Sequence, residues 1–223
     1  MRLLIPAVLV VALVGCGGKK AIPATLGTTN ATTTIDNQGC HSIETPNPEQ
    51  RRAPKPKQAL DPSKSYDVTL ETNCGSMTVR LDVKDSPHTT ASFVSLVRRG
   101  YFLDTIFHRI VPGFVIQGGD PTGTGTSGPG YTTVDKPPKD TKYVEGVVAM
   151  AKTQTEPAGT AGSQFFVVTG PDAATLPPDY AVLGHVTKGL DVAKRISNFG
   201  DPNDPSGSPL RLVAIEKATV DVS

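Results

Sequence analysis

The sequence predicts a mainly β domain, a closed barrel with helical caps, carried behind a disordered N-terminal tail. Three observations lead there. Short apolar runs recur between turns in a chain with 22 Gly and 20 Pro among 223 residues, a pattern of many short strands. Two segments carry helix start and stop signals. Residues 17–65 hold no aromatic side chain at all. The division that follows is a leader over 1–16, a tether over 17–65 and a folded domain over 66–223.

The leader sets the compartment. Met1-Arg2 gives a positive start, and residues 3–14 are apolar except for Pro6. Such a run is too short to span a bilayer, so it reads as a signal peptide. It ends in Leu13-Val14-Gly15-Cys16, which resembles a bacterial lipobox with Cys16 as the acylated N-terminus of the mature chain. An ordinary secretory signal is the plainer alternative. Acyl chains on Cys16 would hold the protein at a membrane, at about 0.8 kcal/mol per buried CH₂. The expected location is therefore outside the cytoplasm, lipid-anchored to the cell membrane. Cys40 and Cys74 remain as an even pair in an oxidising compartment, either as a disulfide or as two unpaired thiols. With no CxxC and no HExxH, no metal site is expected.

The tether contains a Thr-rich stretch and then Pro46, Pro48, Pro54, Pro56 and Pro62. It cannot bury enough apolar surface to offset its ordering entropy, so a flexible, partly extended segment is expected. A random coil of this length spans about 35–40 Å. Arg51, Arg52, Lys55 and Lys57 read as a solvated run that anionic headgroups could also meet.

Regular structure begins at Tyr66. Tyr66, Val68 and Leu70 alternate with polar residues, as do Met77, Val79 and Leu81. Both are half-buried strands, and Asn73-Cys74-Gly75 between them supplies the turn of a hairpin. A helix follows, with Ser86 as N-cap, Pro87 at the first position and Gly100 past the end. Short apolar runs at 105–111, 114–117, 147–151, 165–169 and 181–186 predict further strands. A short helix is expected at 190–198, and a strand closes the chain at 210–222. A net charge of +1 lacks the footprint of a nucleic-acid binder.

Two motifs look chemical without the context they need. Gly123-Thr124-Gly125-Thr126-Ser127-Gly128 matches GxGxxG, but Pro129-Gly130 follows where a phosphate-binding helix should start. Ser163 lacks the elbow of a serine hydrolase.

The segment from Phe107 to Asp120 is different. Phe107-His108-Arg109, Phe114 and Gln117-Gly118-Gly119-Asp120 occupy every fixed position of F-H-R-x-x-x-x-F-x-x-Q-G-G-D. Gly162-Ser163-Gln164-Phe165-Phe166 follows Ala161 where N-G-S-Q-F-F has Asn, and Val148-Ala149-Met150-Ala151 is close to L-S-M-A. In these blocks the chain resembles the cyclophilins over about 66–222. The resemblance implies an eight-stranded antiparallel barrel with two helices and its substrate groove outside the barrel. It implies a peptidyl-prolyl cis-trans isomerase. With the leader read as a signal peptide, the expected substrates are proline-containing segments of exported proteins. Nothing in the sequence indicates a cofactor or an oligomer, so a monomer is expected.

The residues fit that chemistry. Rotation about an X-Pro bond is opposed by amide resonance, with a barrier of about 18–20 kcal/mol. A fixed cation donating to the proline nitrogen as it pyramidalises acts mainly in the transition state. Arg109 is permanently charged, planar and rich in donors. The resemblance assigns catalysis to Arg109, Gln117 and Phe114, with Gln117 holding Arg109. It assigns the proline slot to Phe114, Val115, Phe166 and Leu176. Ala151 and Lys152 offer main-chain groups to the residue before proline, and His108, Gln164 and Tyr180 complete the wall. Phe107 and Phe165 are assigned to the core. A proline-binding docking module with incidental turnover is the competing expectation, though binding alone needs only the slot.

Overall fold

The computed structural model describes residues 34–223. The leader, Cys16 and the tether up to residue 33 lie outside the described residues. Strands β1 (Tyr66–Thr72) and β2 (Gly75–Leu81) form the expected hairpin, with Thr72 opposite Gly75 across the Asn73-Cys74 turn. Their alternating burial follows the period-two pattern, with Val68, Leu70, Met77 and Val79 inside.

Helix α1 (Pro87–Arg98) starts and stops where its signals stand. The Ser86 hydroxyl makes no capping bond. Instead the Asp135 carboxylate accepts from the Thr89 amide at 2.6 Å, so the cap comes from a loop 46 residues away. At the other end Gly100 has φ +67°. Its amide donates to Val97 and that of Tyr101 to Leu96, a Schellman closure that a residue with a Cβ would strain.

The region after α1 is more broken than its apolar runs suggest. The 105–111 run splits into β3 (Thr105–Ile106) and β4 (Arg109–Val111). Then come β5 (Val115–Gly118), β6 (Thr133–Val134), β7 (Val147–Met150), β8 (Thr160–Ala161) and β9 (Phe165–Val168). A 3-10 turn (Pro171–Thr175), β10 (Val182–Lys188), α2 (Leu190–Ser197) and β11 (Ala214–Val222) complete the order.

The expectation of a closed eight-stranded barrel is corrected. Nine strands form one curled, open antiparallel sheet in the order β3-β11-β1-β2-β10-β7-β9-β5-β4, and β6 pairs with β8 apart from it. The edges β3 and β4 are consecutive in the chain but make no ladder with each other, and residues 107–108 between them belong to neither strand. An isolated bridge joins Ile106 of β3 to Asp120, just beyond β5. The main core fills the inside of the curl. Phe93, Phe102, Phe107 and Phe165 stack there edge-on or tilted, with centroids 4.8–6.2 Å apart.

The tether is corrected over 34–65, which lies along the domain as a strap. Cys40 is bonded to Cys74 in the β1–β2 turn, and the His41 amide donates to Asn73 at 2.9 Å. Arg51 donates to the carbonyls of Tyr101 and Leu103 at 2.7 and 2.6 Å, and the Ala53 amide donates to Pro129 at 3.0 Å. Ala53 and Leu60 are the apolar residues of the strap that pack on the core. Hydrogen bonds and one covalent link replace the apolar burial that its composition lacks.

Candidate active site

Strand register assembles the site. Arg109 on β4 is paired with Gln117 on β5, Gln117 with Phe166 on β9, and Phe166 with Ala149 on β7. Directly opposed residues share a face, so these four side chains form a row across four strands. Their neighbours Ile110, Ile116, Val167 and Val148 point the other way and are fully buried in the main core. Phe166 and Ala149 of the row belong to a second apolar cluster, with Val115 and Val168 on the same face of the sheet.

Over that cluster lies a slot of about 120 Å³. Phe166 and Val115 form its buried floor, and Phe114, Leu176 and Tyr180 its half-buried walls. Arg109, Gln117, Ala151 and Lys152 rim it. The Arg109 guanidinium carbon stands 5.6 Å from the Phe114 ring centroid, and its Nε donates to Ser206 O at 3.2 Å. Burial lowers the guanidinium pKa from its ordinary value, yet an arginine stays charged across the neutral range. Phe166 and Tyr180 meet edge to face at 5.4 Å. The site therefore sets a fixed cation and an amide beside an apolar slot for one small ring.

Nine of the expected site residues meet there; two do not. Gln164 lines the larger groove next door. His108 does not line the slot, and its ring lies beside Gly125. Burial lowers its pKa, and its ring nitrogens find no hydrogen-bond partner among the described residues. The expected hold of Gln117 on Arg109 is also corrected. Gln117 Nε2 donates to Gln164 Oε1 at 3.1 Å, and Gln164 Nε2 donates to Ser127 O at 3.0 Å. Gln117 is thus fixed by the loop before β6, while its Oε1 makes no hydrogen bond among the described residues.

The remaining motif positions are architectural. Gly119 has φ +86°, and a Cβ there would stand 2.5 Å from Ser163 O, so only glycine fits. Asp120 is buried, and the GxGxxG loop closes around it. Its carboxylate accepts from the Thr122 amide at 2.8 Å, the Thr122 hydroxyl at 2.8 Å and the Ser127 amide at 3.1 Å. Loop amides that would cradle a phosphate are spent on a carboxylate. Burial alone would raise the Asp120 pKa, but these bonds hold it below 3.8. A depressed pKa adds stability above the unfolded value and loses it as pH falls through the folded one. Asp120→Asn is expected to cost about 1–3 kcal/mol at pH 7 by urea unfolding, and to flatten the fall in stability below about pH 4. Equal stability of the two proteins at pH 7 would contradict this.

Sequence reasoning missed Tyr143. It is fully buried, and its hydroxyl donates to Tyr180 O at 2.7 Å and accepts from the Tyr180 amide at 2.9 Å. Burial pushes its pKa up to about 12. It clamps the backbone of one slot wall. An aromatic residue in the polar stretch 136–145 is the signal that could have marked it.

The chain is similar to known proteins over most of the described domain. The family described as cyclophilin type peptidyl-prolyl cis-trans isomerase/CLD matches residues 67–220. The chain is 38% identical over 158 residues to peptidyl-prolyl cis-trans isomerase CYP18-2 of Arabidopsis thaliana, covering 69% of this chain and 93% of that one. It is also 38% identical over 158 residues to peptidyl-prolyl cis-trans isomerase-like 1 of Neurospora crassa, with the same coverage. The crystal structure of a Cryptosporidium parvum cyclophilin with the dipeptide Ala-Pro superposes with a TM-score of 0.62 at 32% identity, covering 70% of this chain and 98% of that one. The family match over residues 67–220, together with relatives 38% identical and covered over 93% of their length, makes the chain a member of the cyclophilin family, an enzyme of the peptidyl-prolyl cis-trans isomerase class.

Proposed function

We propose that this isomerase accelerates X-Pro rotation in exported proteins, at the outer face of a bacterial membrane to which acylated Cys16 anchors it. The observation that carries the catalytic part is the placement of Arg109 and Gln117 on the rim of a slot floored by Phe166 and Val115. A proline ring seated in the slot puts its nitrogen toward the rim. There the Arg109 guanidinium donates to the nitrogen lone pair as the imide twists and conjugation is lost. This contact is stronger in the twisted state than in the planar one, as catalysis requires. Phe114 flanks the guanidinium and keeps water from it. Gln117, held by Gln164, offers its Oε1 to the substrate backbone, and Ala151 and Lys152 offer main-chain groups to the residue before proline. The anchor rests on the lipobox-like end of the leader and on the cysteine pair.

The test has two parts. Cis-to-trans relaxation of a blocked X-Pro tetrapeptide, followed with the full chain, should accelerate strongly over buffer. Labelled palmitate fed to a bacterial expression host should enter the wild type and not a Cys16→Ala variant. A well-folded protein that binds the peptide without acceleration would favour the docking-module reading. Unlabelled wild-type protein would remove the anchor.

A further inference from the structure

A larger groove of about 740 Å³ adjoins the proline slot and shares Gln117, Ala151 and Lys152 with it. Part of its wall comes from outside the family match, which begins at residue 67. Gln50 and Arg52 of the strap stand there. Gln50 Nε2 donates to Ser127 Oγ at 2.9 Å, and the Ala53 amide donates to Pro129 O at 3.0 Å, so the strap is fixed on both sides of Arg52. Extended backbone sends alternate side chains to opposite sides. Arg51 is used on the carbonyls of Tyr101 and Leu103, and Arg52 turns to the groove beside Gly130. Among the described residues its guanidinium has no hydrogen-bond or ion-pair partner. The groove's one carboxylate, Glu156, already accepts from the Thr153 amide at 2.6 Å and hydroxyl at 2.9 Å. Lys152, the groove's other cation, donates to the carbonyls of Thr153 and Glu156 at 3.2 and 3.1 Å, so Arg52 is the cation the groove leaves without a partner among the described residues.

We propose that Arg52 is a specificity-determining residue that favours substrates with an acidic side chain on the N-terminal side of the proline. This rests on the isomerase reading above, in which Ala151 and Lys152 face the residue before proline. An extended peptide advances about 3.3–3.6 Å per residue, so the next residue back enters the groove that those two positions share. The strap thereby adds a selective wall to a fold whose matched portion does not contain it.

The measurement is kcat/KM of the full chain for blocked Glu-Ala-Pro-Phe and Lys-Ala-Pro-Phe peptides. The expected ratio favours Glu by about two- to fivefold, the range of an exposed ion pair. It falls towards one in Arg52→Gln and below one in Arg52→Glu. It narrows in high salt. A Lys84→Gln variant, which changes charge on the β2–α1 turn, keeps the wild-type ratio. Acceleration of both peptides with a ratio of one, or a preference that survives Arg52→Gln, overturns the role of Arg52 alone. No acceleration of either peptide overturns the isomerase reading and this inference together.

Discussion

Arg109→Ala is expected to lower kcat/KM for an X-Pro peptide by about 10²–10³-fold, the loss seen when one transition-state hydrogen-bond donor is removed. Most of the loss should fall on kcat, because the slot that binds the ring is built from Phe114, Val115, Phe166 and Leu176 and stays in place. The fold should tolerate the change. Among the described residues the Arg109 side chain makes one hydrogen bond, to Ser206 O, and the β4–β5 ladder is made by backbone. Arg109→Lys should recover little, since a point ammonium on a flexible stem does not reproduce the planar fork. Relaxation kinetics on both variants, with unfolding curves beside them, check this. A kcat/KM within twofold of wild type in Arg109→Ala would sink the assignment.

Removing the disulfide should have the largest effect on stability. Cys40 and Cys74 are both buried and 34 residues apart. Closing a loop of that length is worth about 3–4 kcal/mol through the unfolded state. The double variant Cys40→Ser with Cys74→Ser is expected to lose that amount in guanidinium unfolding, and reduction of the wild type should reproduce it. The strap should then become the first site of proteolysis, because its remaining ties are hydrogen bonds at the surface. With the strap loosened, Arg52 leaves the groove wall. The same double variant should therefore also lose the preference for acidic peptides, while its slot still turns them over. A stability loss below about 1 kcal/mol would mean that hydrogen bonds such as Arg51 to Tyr101 and Leu103 hold the strap unaided.

Local signals carried much of the domain. The β1–β2 hairpin follows from period-two alternation with a turn at Asn73-Cys74, and the ends of α1 from Pro87 and Gly100. The separation of Phe107 and Phe165 in the core from Phe114 and Phe166 at the slot was legible only through the resemblance. Each is simply an aromatic residue in an apolar run. Tertiary structure decided the rest. Which strands lie opposite one another is a long-range matter, and it alone puts Arg109, Gln117 and Phe166 in one row. It opened the sheet at β3 and β4, gave the α1 cap to Asp135 instead of Ser86, and tied Gln117 to Gln164. The strap is the clearest case. Its order comes from a disulfide and from hydrogen bonds, of its backbone and of the Gln50 and Arg51 side chains, to partners far along the chain. Composition and periodicity register apolar burial and local turns, and a segment held by distant hydrogen bonds leaves no trace in either.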